Sequence, residues 1–556
     1  MKCTEDVTGV RVSAAMVAAL TVIGWWPLGS GAALAEDGNG QKYLDAVVRF
    51  ADCALKSGRD VYGPKHTPLF VDGLEVETYK PVQWPIKKEV WIPANLASQQ
   101  TLLRVLDGLT ALGGPTKYRE AAVAAARFGF EHLRGPNGLL YWGGHTSYDA
   151  LGDKMVTEAG QHELKRHYPY YELMWQVDSQ ATRQFIEAFW AGHVLDWEVL
   201  DFNRHGSYRE PVHNVWDHQY RGGPVFFTSR GLTFVNTGSD LFYSAAWLSK
   251  SSGNEKPLIW AKRLARRYVE TRNPKTGLGG YQFSKVSSGD RAIQQFGPEF
   301  GDRINEGTIV DSSRGPTKFA AVGSCQLLLG ELLGDGGREF LQWGLEDLQA
   351  YGRHAYRAAD NTFIPMITDG GRLTPADVKR SGYYGAPDGP CFKPLKAAPQ
   401  FLRAYALAWR LSGDAFCWQM ARAIARGNGL GDLGEQPGQK PSLNRTASCA
   451  HPDAVIAMVE IHQKTGNAAY LEIACKVADN LLAAHFHRDL FVDGRDYRFT
   501  RLDRHEPLAL LHLVAALRGH HNRVPTYWAG DAFFACRYAD GSRRYDNEAI
   551  YAQRKQ

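Results

Sequence analysis

The chain has 556 residues, 44% of them hydrophobic and 22% charged, with 57 Gly and 26 Pro spread along it, which excludes collagen-like, low-complexity and largely disordered classes. Lys and Arg total 64 against 59 Asp and Glu, a formal charge of +5 with no run of five like charges, so a nucleic-acid tail is excluded while an acidic substrate is allowed. The eight cysteines, at positions 3, 53, 325, 391, 417, 449, 475 and 536, include no C-x-x-C pair, and neither a zinc ribbon nor a dense disulfide framework fits them.

In chain order the first element is an export signal over residues 1–35. Lys2 and Arg11 precede an apolar stretch from Ala14 to Leu28, and Ala33-Leu34-Ala35 supplies the small-x-small site that a signal peptidase needs. The apolar run is shorter than a bilayer span and contains Pro27, which argues against an uncleaved anchor. Cleavage leaves seven cysteines, so at least one thiol stays unpaired. No later stretch has eighteen uninterrupted apolar residues, and the mature chain is expected to keep no stable membrane association.

Beyond the signal, apolar residues recur at i, i+3, i+4 and i+7 in blocks that predict about fourteen helices. They begin with Tyr43 to Lys56, Asn95 to Leu112, Lys117 to Leu133, Asp178 to Leu195, Ser239 to Leu248, Pro257 to Thr271, Lys318 to Leu333 and Gly337 to Tyr356. Pro399 to Leu411, Asp414 to Arg426, Pro452 to Lys464, Ala468 to Ala484, Glu506 to Arg518 and Thr526 to Phe534 complete them. Many are paired through a glycine linker followed by an aromatic, as in Gly113 to Tyr118, Gly413-Asp414-Ala415-Phe416 and Gly466 to Tyr470. The glycine suits a left-handed helix C-cap and the Asp or Asn suits the next N-cap.

Such hairpins cannot bury their faces alone and must stack, into an open solenoid or a closed double ring. The long aromatic-rich segments 58–94, 135–177, 201–238, 273–317 and 359–398 interrupt the hairpins, which favours an all-α (α/α) toroid with a groove at one end. No composition shift divides residues 36–556, so they are read as one domain.

Ligating and basic residues gather in three stretches: Leu140 to His145, Gln161 to His167 and Asp201 to Gly206. Two imidazoles and a carboxylate, with water in the open positions, commonly hold a catalytic divalent cation, and His145, Glu163 and His205 supply that set. Each alone reads more readily as a loop hydrogen-bonder or a solvated side chain; only the constellation points to a metal. His162-Glu163 is no zinc-protease motif, because the next histidine, His167, lies five residues on, about 140° around a helix. No phosphate-loop or G-x-S-x-G motif occurs, and the lone G-x-G-x-x-G, Gly429 to Gly434, follows a predicted helix instead of a strand.

The export signal, the helical pairs, Thr67-Pro68-Leu69-Phe70-Val71-Asp72-Gly73, Glu163 and the adjacent Arg204-His205 together resemble polysaccharide lyase family two, the periplasmic pectate lyases. The resemblance implies an (α/α)7 toroid and a divalent metal, typically manganese, held by His145, Glu163 and His205, with Arg204 as the base. His162 and His167 compete with His145 for the first ligand position, because the spacing from His145 to Glu163 is a few residues shorter than the family's.

The implied reaction is β-elimination in a 4-linked uronan, polygalacturonate first. The C5 proton is weakly acidic because the neighbouring carboxylate gains charge in the transition state, and a cation there stabilises that charge. A guanidinium is a poor base in water, though neighbouring positive charge lowers its proton affinity; the other role for Arg204 is a carboxylate-binding fork. Further substrate contacts are expected from Trp142, Tyr141, Lys165, Arg166, Arg314 and Lys318. The expected partner is an acidic polysaccharide or oligouronide, with no nucleic acid, in the periplasm or outside the cell. A glycoside hydrolase or epimerase on a helical toroid and a non-catalytic secreted repeat protein remain the alternatives.

Overall fold

The protein is described by a computed structural model covering residues 40–556 apart from 158–159, 224–228, 285–290 and 532. The expected export signal, residues 1–35, lies outside the described residues. The architecture rests on α1 (Gln41–Ser57), α2 (Gln100–Ala111), α3 (Lys117–His132), α4 (Tyr171–Val177), α5 (Ser179–His193), α6 (Val235–Ser252) and α7 (Lys256–Glu270). It continues through α8 (Gly323–Leu333), α9 (Arg338–Ala355), α10 (Pro399–Ser412), α11 (Ala415–Gly427), α12 (Pro452–Thr465), α13 (Ala468–His485) and α14 (Glu506–Leu517).

These helices fall into two kinds. The first is amphipathic: α1 buries Tyr43, Val47, Phe50 and Ala54 on one stripe and leaves Lys42, Arg49 and Lys56 in solvent. The second is buried all round, as α6 is from Val235 to Ser249, because it has a neighbour on either side and an outer helix behind it. The even-numbered helices form the inner layer, and each packs on an odd-numbered partner outside.

The inner ring runs α2, α4, α6, α8, α10, α12, α14. Tyr170 Oη, at the start of α4, donates to Asp107 of α2 at 2.5 Å, and Tyr171 meets Trp247 of α6 with ring centroids 5.5 Å apart. The ring closes where α14 packs against both α1 and α2, so the first outer helix serves the last inner one. Seven inner and seven outer helices make an (α/α)7 toroid.

The linkers fold as their residues require. Gly413 and Gly466 end α10 and α12 with φ of 74° and 67°, a region that costs a residue with Cβ. Asp414 then accepts from Cys417 N at 2.8 Å and Asn467 from Ala469 N at 3.0 Å, starting α11 and α13.

Two elements differ from the sequence expectation. Thr526 to Phe534 forms no helix among its described residues: Trp528 N donates to Thr526 O at 3.0 Å and Gly530 N to Trp528 O at 2.9 Å, two residues back instead of four, and Asp531 N donates to Arg166 O at 2.8 Å. Conversely, the aromatic segment 135–177 contains α4, too short at seven residues to show a period. The seven cysteines among the described residues are all free, and no helix among them is long and apolar enough to cross a membrane.

Candidate active site

The three segments singled out in the sequence are zipped side by side. Gly144 N donates to Glu163 O at 2.9 Å, while His162 and Gly206 exchange both backbone bonds, N to O at 3.0 Å and 2.8 Å. The strand carrying Glu163 therefore lies between the two that carry His145 and His205. The close approach needs glycine: a Cβ on Gly143, whose φ is 106°, would lie 2.0 Å from Glu163 O, and one on Gly144 would lie 2.5 Å from Glu163 Oε2.

The Thr67–Gly73 motif supports the same point from behind. Asp72 accepts from Asn95 N at 2.6 Å, and the Asn95 side chain clamps Gly143, donating to its carbonyl at 2.7 Å and accepting from its N–H at 3.0 Å.

His145, Glu163 and His205 each place a ligating atom within 4.8 Å of the other two. Glu163 is fully buried and His145 is 1% exposed. Glu163 Oε2 lies 2.8 Å from His145 Nε2, and its Oε1 lies 2.6 Å from Arg204 Nη1, 3.1 Å from Lys165 Nζ and 3.6 Å from His205 Nε2. Burial opposes ionisation of Glu163, but Lys165, His145 and Arg204 outweigh it and hold the carboxyl well below its ordinary range. Burial likewise presses His205 down to about 3, leaving a neutral imidazole with a free lone pair.

Glu163 Oε2 and His205 Nε2 are both buried without an aligned hydrogen-bond partner. A carboxylate and two imidazoles whose ligating atoms converge on one point, one of them the unpartnered His205 Nε2, are a donor set that fits a divalent cation.

The competing histidines stand outside this group. Trp142 Nε1–H donates to His162 Nε2 at 3.1 Å, His162 Nδ1 faces His193 Nε2 at 2.9 Å, and His193 Nδ1 faces the Asn203 carbonyl at 2.8 Å. A carbonyl only accepts, which makes both rings neutral donors through Nδ1 and leaves His162 no nitrogen for a metal. His167 accepts from Lys165 N through Nδ1 at 2.9 Å and its ring packs near Phe533, while its Nε2 is buried without a partner.

Arg204 lies over the Phe234 ring, 5.0 Å from its centroid, and reaches Glu163 from the open side. Tyr141 stacks on Tyr208 at 4.4 Å and 14°. Arg166 pairs with Asp531 at 2.8 Å on the rim of a central cavity of about 510 Å³, lined also by Arg403, Arg501, Arg504 and His505.

Two expected substrate contacts are corrected. Trp142 has no exposed surface and packs on Phe185 behind the site. Lys318 is 5% exposed and lies in the core 3.9 Å from Asp347; neither can meet a polymer. The sequence reading missed Arg543, whose Nη2 lies 3.0 Å from His145 Nε2, and Phe533, over which Lys165 lies at 4.8 Å. Both come from the C-terminal segment, nearly four hundred residues beyond His145, where no local pattern announces them.

The family described as periplasmic pectate lyase matches residues 67–537. A pectate disaccharide-lyase of Dickeya dadantii (strain 3937) is 33% identical over 545 residues, covering 92% of this chain and 96% of the relative. The chain belongs to the periplasmic pectate lyase family. It is a polysaccharide lyase of the pectate type, and the triad lies within the family's span.

Among solved structures, the chain is similar to a cellobiose 2-epimerase from Spirochaeta thermophila DSM 6192, at 12% identity and a TM-score of 0.44 over 86% of this chain and 97% of that one. It is also similar to an unsaturated glucuronyl hydrolase from Bacillus sp. GL1, at 12% identity and a TM-score of 0.39 over 88% and 99%.

Proposed function

We propose that this pectate-type lyase cleaves 4-linked polygalacturonate by metal-assisted β-elimination in the periplasm or outside the cell. The single observation that carries the reading is the convergence of His145, Glu163 and His205 on one point, with Arg204 on the other oxygen of the same carboxylate. A divalent cation, manganese by the family resemblance, would supply charge neutralisation at the substrate's C6 carboxylate when bound.

This chain's residues do the rest. His145, Glu163 and His205 would hold the ion, and the glycines beside them let the three strands come close enough for that. Arg204, fixed over Phe234, first gives up a proton to solvent, its proton affinity lowered by the positive charge around it, and the neutral guanidine nitrogen then takes the C5 proton. The C5–H electrons form the C4=C5 double bond, the C4–O4 bond breaks, and the leaving glycosidic oxygen ends protonated from solvent. Lys165, 3.1 Å from Glu163 and only 14% exposed, adds positive charge where the carboxylate of the reacting sugar gains negative charge.

The test is an ultraviolet absorbance assay for unsaturated uronide on a panel of uronans, with chelator and after readdition of manganese, calcium or magnesium. Absorbance should rise on polygalacturonate, vanish with chelator and return with manganese. Cleavage without an unsaturated product, or full activity in chelator, overturns the mechanism.

A further inference from the structure

Arg204 is the first member of a row that leads away from the bond to be broken. The Phe234 ring beneath it lies 5.7 Å from the Tyr281 ring, and Tyr281 in turn lies 5.9 Å from the guanidinium of Arg314. Arg314 also lies 5.0 Å from the Tyr383 ring and 5.1 Å from that of Tyr384. Two aromatic rings thus separate Arg204 from Arg314. Pro316 and Thr317, two and three residues after Arg314, line the same central cavity as Arg166.

Arg314 and Tyr383 have the chemistry of a sugar-acid site. Arg314 Nη1 donates to Asp311 at 2.8 Å, which fixes the guanidinium. Among the described residues its other N–H groups make no hydrogen bond, leaving an edge of the fork for a second carboxylate. Tyr383 is 40% exposed, although burying such a ring is favourable. Its hydroxyl donates to Gln282 Oε1 at 2.6 Å, and Gln282 is held in turn by donating to the buried Glu306 at 3.0 Å. An exposed ring fastened at its hydroxyl presents a rigid face, on which the C–H face of a pyranose can stack.

We propose that Arg314 and Tyr383, backed by Tyr281, form a distal uronate subsite that binds a sugar of the polymer remote from the cleaved bond and makes turnover depend on chain length. The proposal rests on the lyase reading above. Binding energy gained there assists cleavage only for substrates long enough to reach from Arg204 across two rings.

The experiment measures kcat/KM on oligogalacturonates of increasing length for the wild type, Tyr383→Ala, Tyr383→Phe and Arg314→Gln. The wild type should gain with length. Tyr383→Ala and Arg314→Gln should lose about tenfold on long oligomers, the size of one lost stacked or charge-assisted contact, and less than about twofold on the shortest oligomer cleaved. Tyr383→Phe, which keeps the ring, should retain most of the long-chain rate.

Equal losses at every length, or none at any length, overturn the subsite while leaving the lyase reading intact. A wild type that cleaves no uronan overturns both. Tyr383→Ala changes an exposed side chain, and unchanged circular dichroism separates a lost contact from a lost fold.

Discussion

At the scale of single residues, Glu163 carries more than any other side chain. One buried carboxylate answers Arg204, Lys165 and both triad imidazoles. Glu163→Gln should therefore remove metal binding, measured by titration calorimetry, and leave two cations facing each other without a counter-charge. Breaking a buried pair in this way costs about 3 kcal/mol, which urea denaturation in chelator should detect. Arg204 and His205 are separable despite being adjacent. Arg204→Lys should abolish kcat with KM and bound metal nearly unchanged, because the lost interaction exists only in the transition state. His205→Ala should instead lose metal affinity and be rescued in part by excess metal. An Arg204→Lys enzyme with near-normal kcat on every uronan would show that Arg204 is a carboxylate clamp and not the base.

At the scale of elements, the site exists because three strands approach more closely than side chains allow. A Cβ at Gly144 would also lie 2.8 Å from Phe533, and one at Gly206 would lie 2.3 Å from His193 Nε2. Gly144→Ala should depress metal affinity and activity by an order of magnitude or more, because the alanine displaces the carboxylate it touches, with helical circular dichroism unchanged; wild-type affinity in that variant would mean the strands have slack. The hairpin linkers were legible in the sequence because a left-handed glycine followed by a capping Asp or Asn is a local signal, written within three residues at Gly413-Asp414 and Gly466-Asn467. The failures have local causes too. Thr526 to Phe534 has helical spacing, but Gly530 lies where a Cβ would come 3.0 Å from the His167 carbonyl, so tertiary contact outweighed the pattern. Tyr171–Val177 is under two turns long, and a period cannot be read from so short a run. Likewise Trp142, beside His145 in the sequence, has the pattern of a sugar platform, whereas its partner in the structure is His162.

At the scale of the whole molecule, the ring closes where α14 meets α1 and α2, and the C-terminal segment beyond α14 reaches the site through Phe533 and Arg543. The toroid was legible because stacked hairpins leave few alternatives; the Arg543 contact was not, because only closure brings it to His145. Closure also buries titratable groups that oppose one another in pH. Burial lowers His512 to about 4, with its Nε2 on the Pro525 carbonyl at 3.0 Å, and raises Asp503 to about 7 while it caps α2 through Thr101 N and Leu102 N. For His512 the unfolded chain takes up a proton near its ordinary value of about 6.5, while the folded chain does not until about 4. Its stabilising contribution is therefore complete above pH 6.5 and is lost as pH falls through that window. For Asp503 the unfolded carboxyl releases its proton near about 3.9 and the folded one near 7, so its contribution is complete at low pH and is lost as pH rises between those values. The two slopes cancel in part between pH 4 and 6.5, and single substitutions should expose each. Thermal unfolding from pH 4 to 7 should show His512→Gln losing less stability than the wild type as pH falls, and Asp503→Asn losing less as pH rises. Parallel Tm profiles for the wild type and both variants would mean that neither group keeps its shifted pKa in solution.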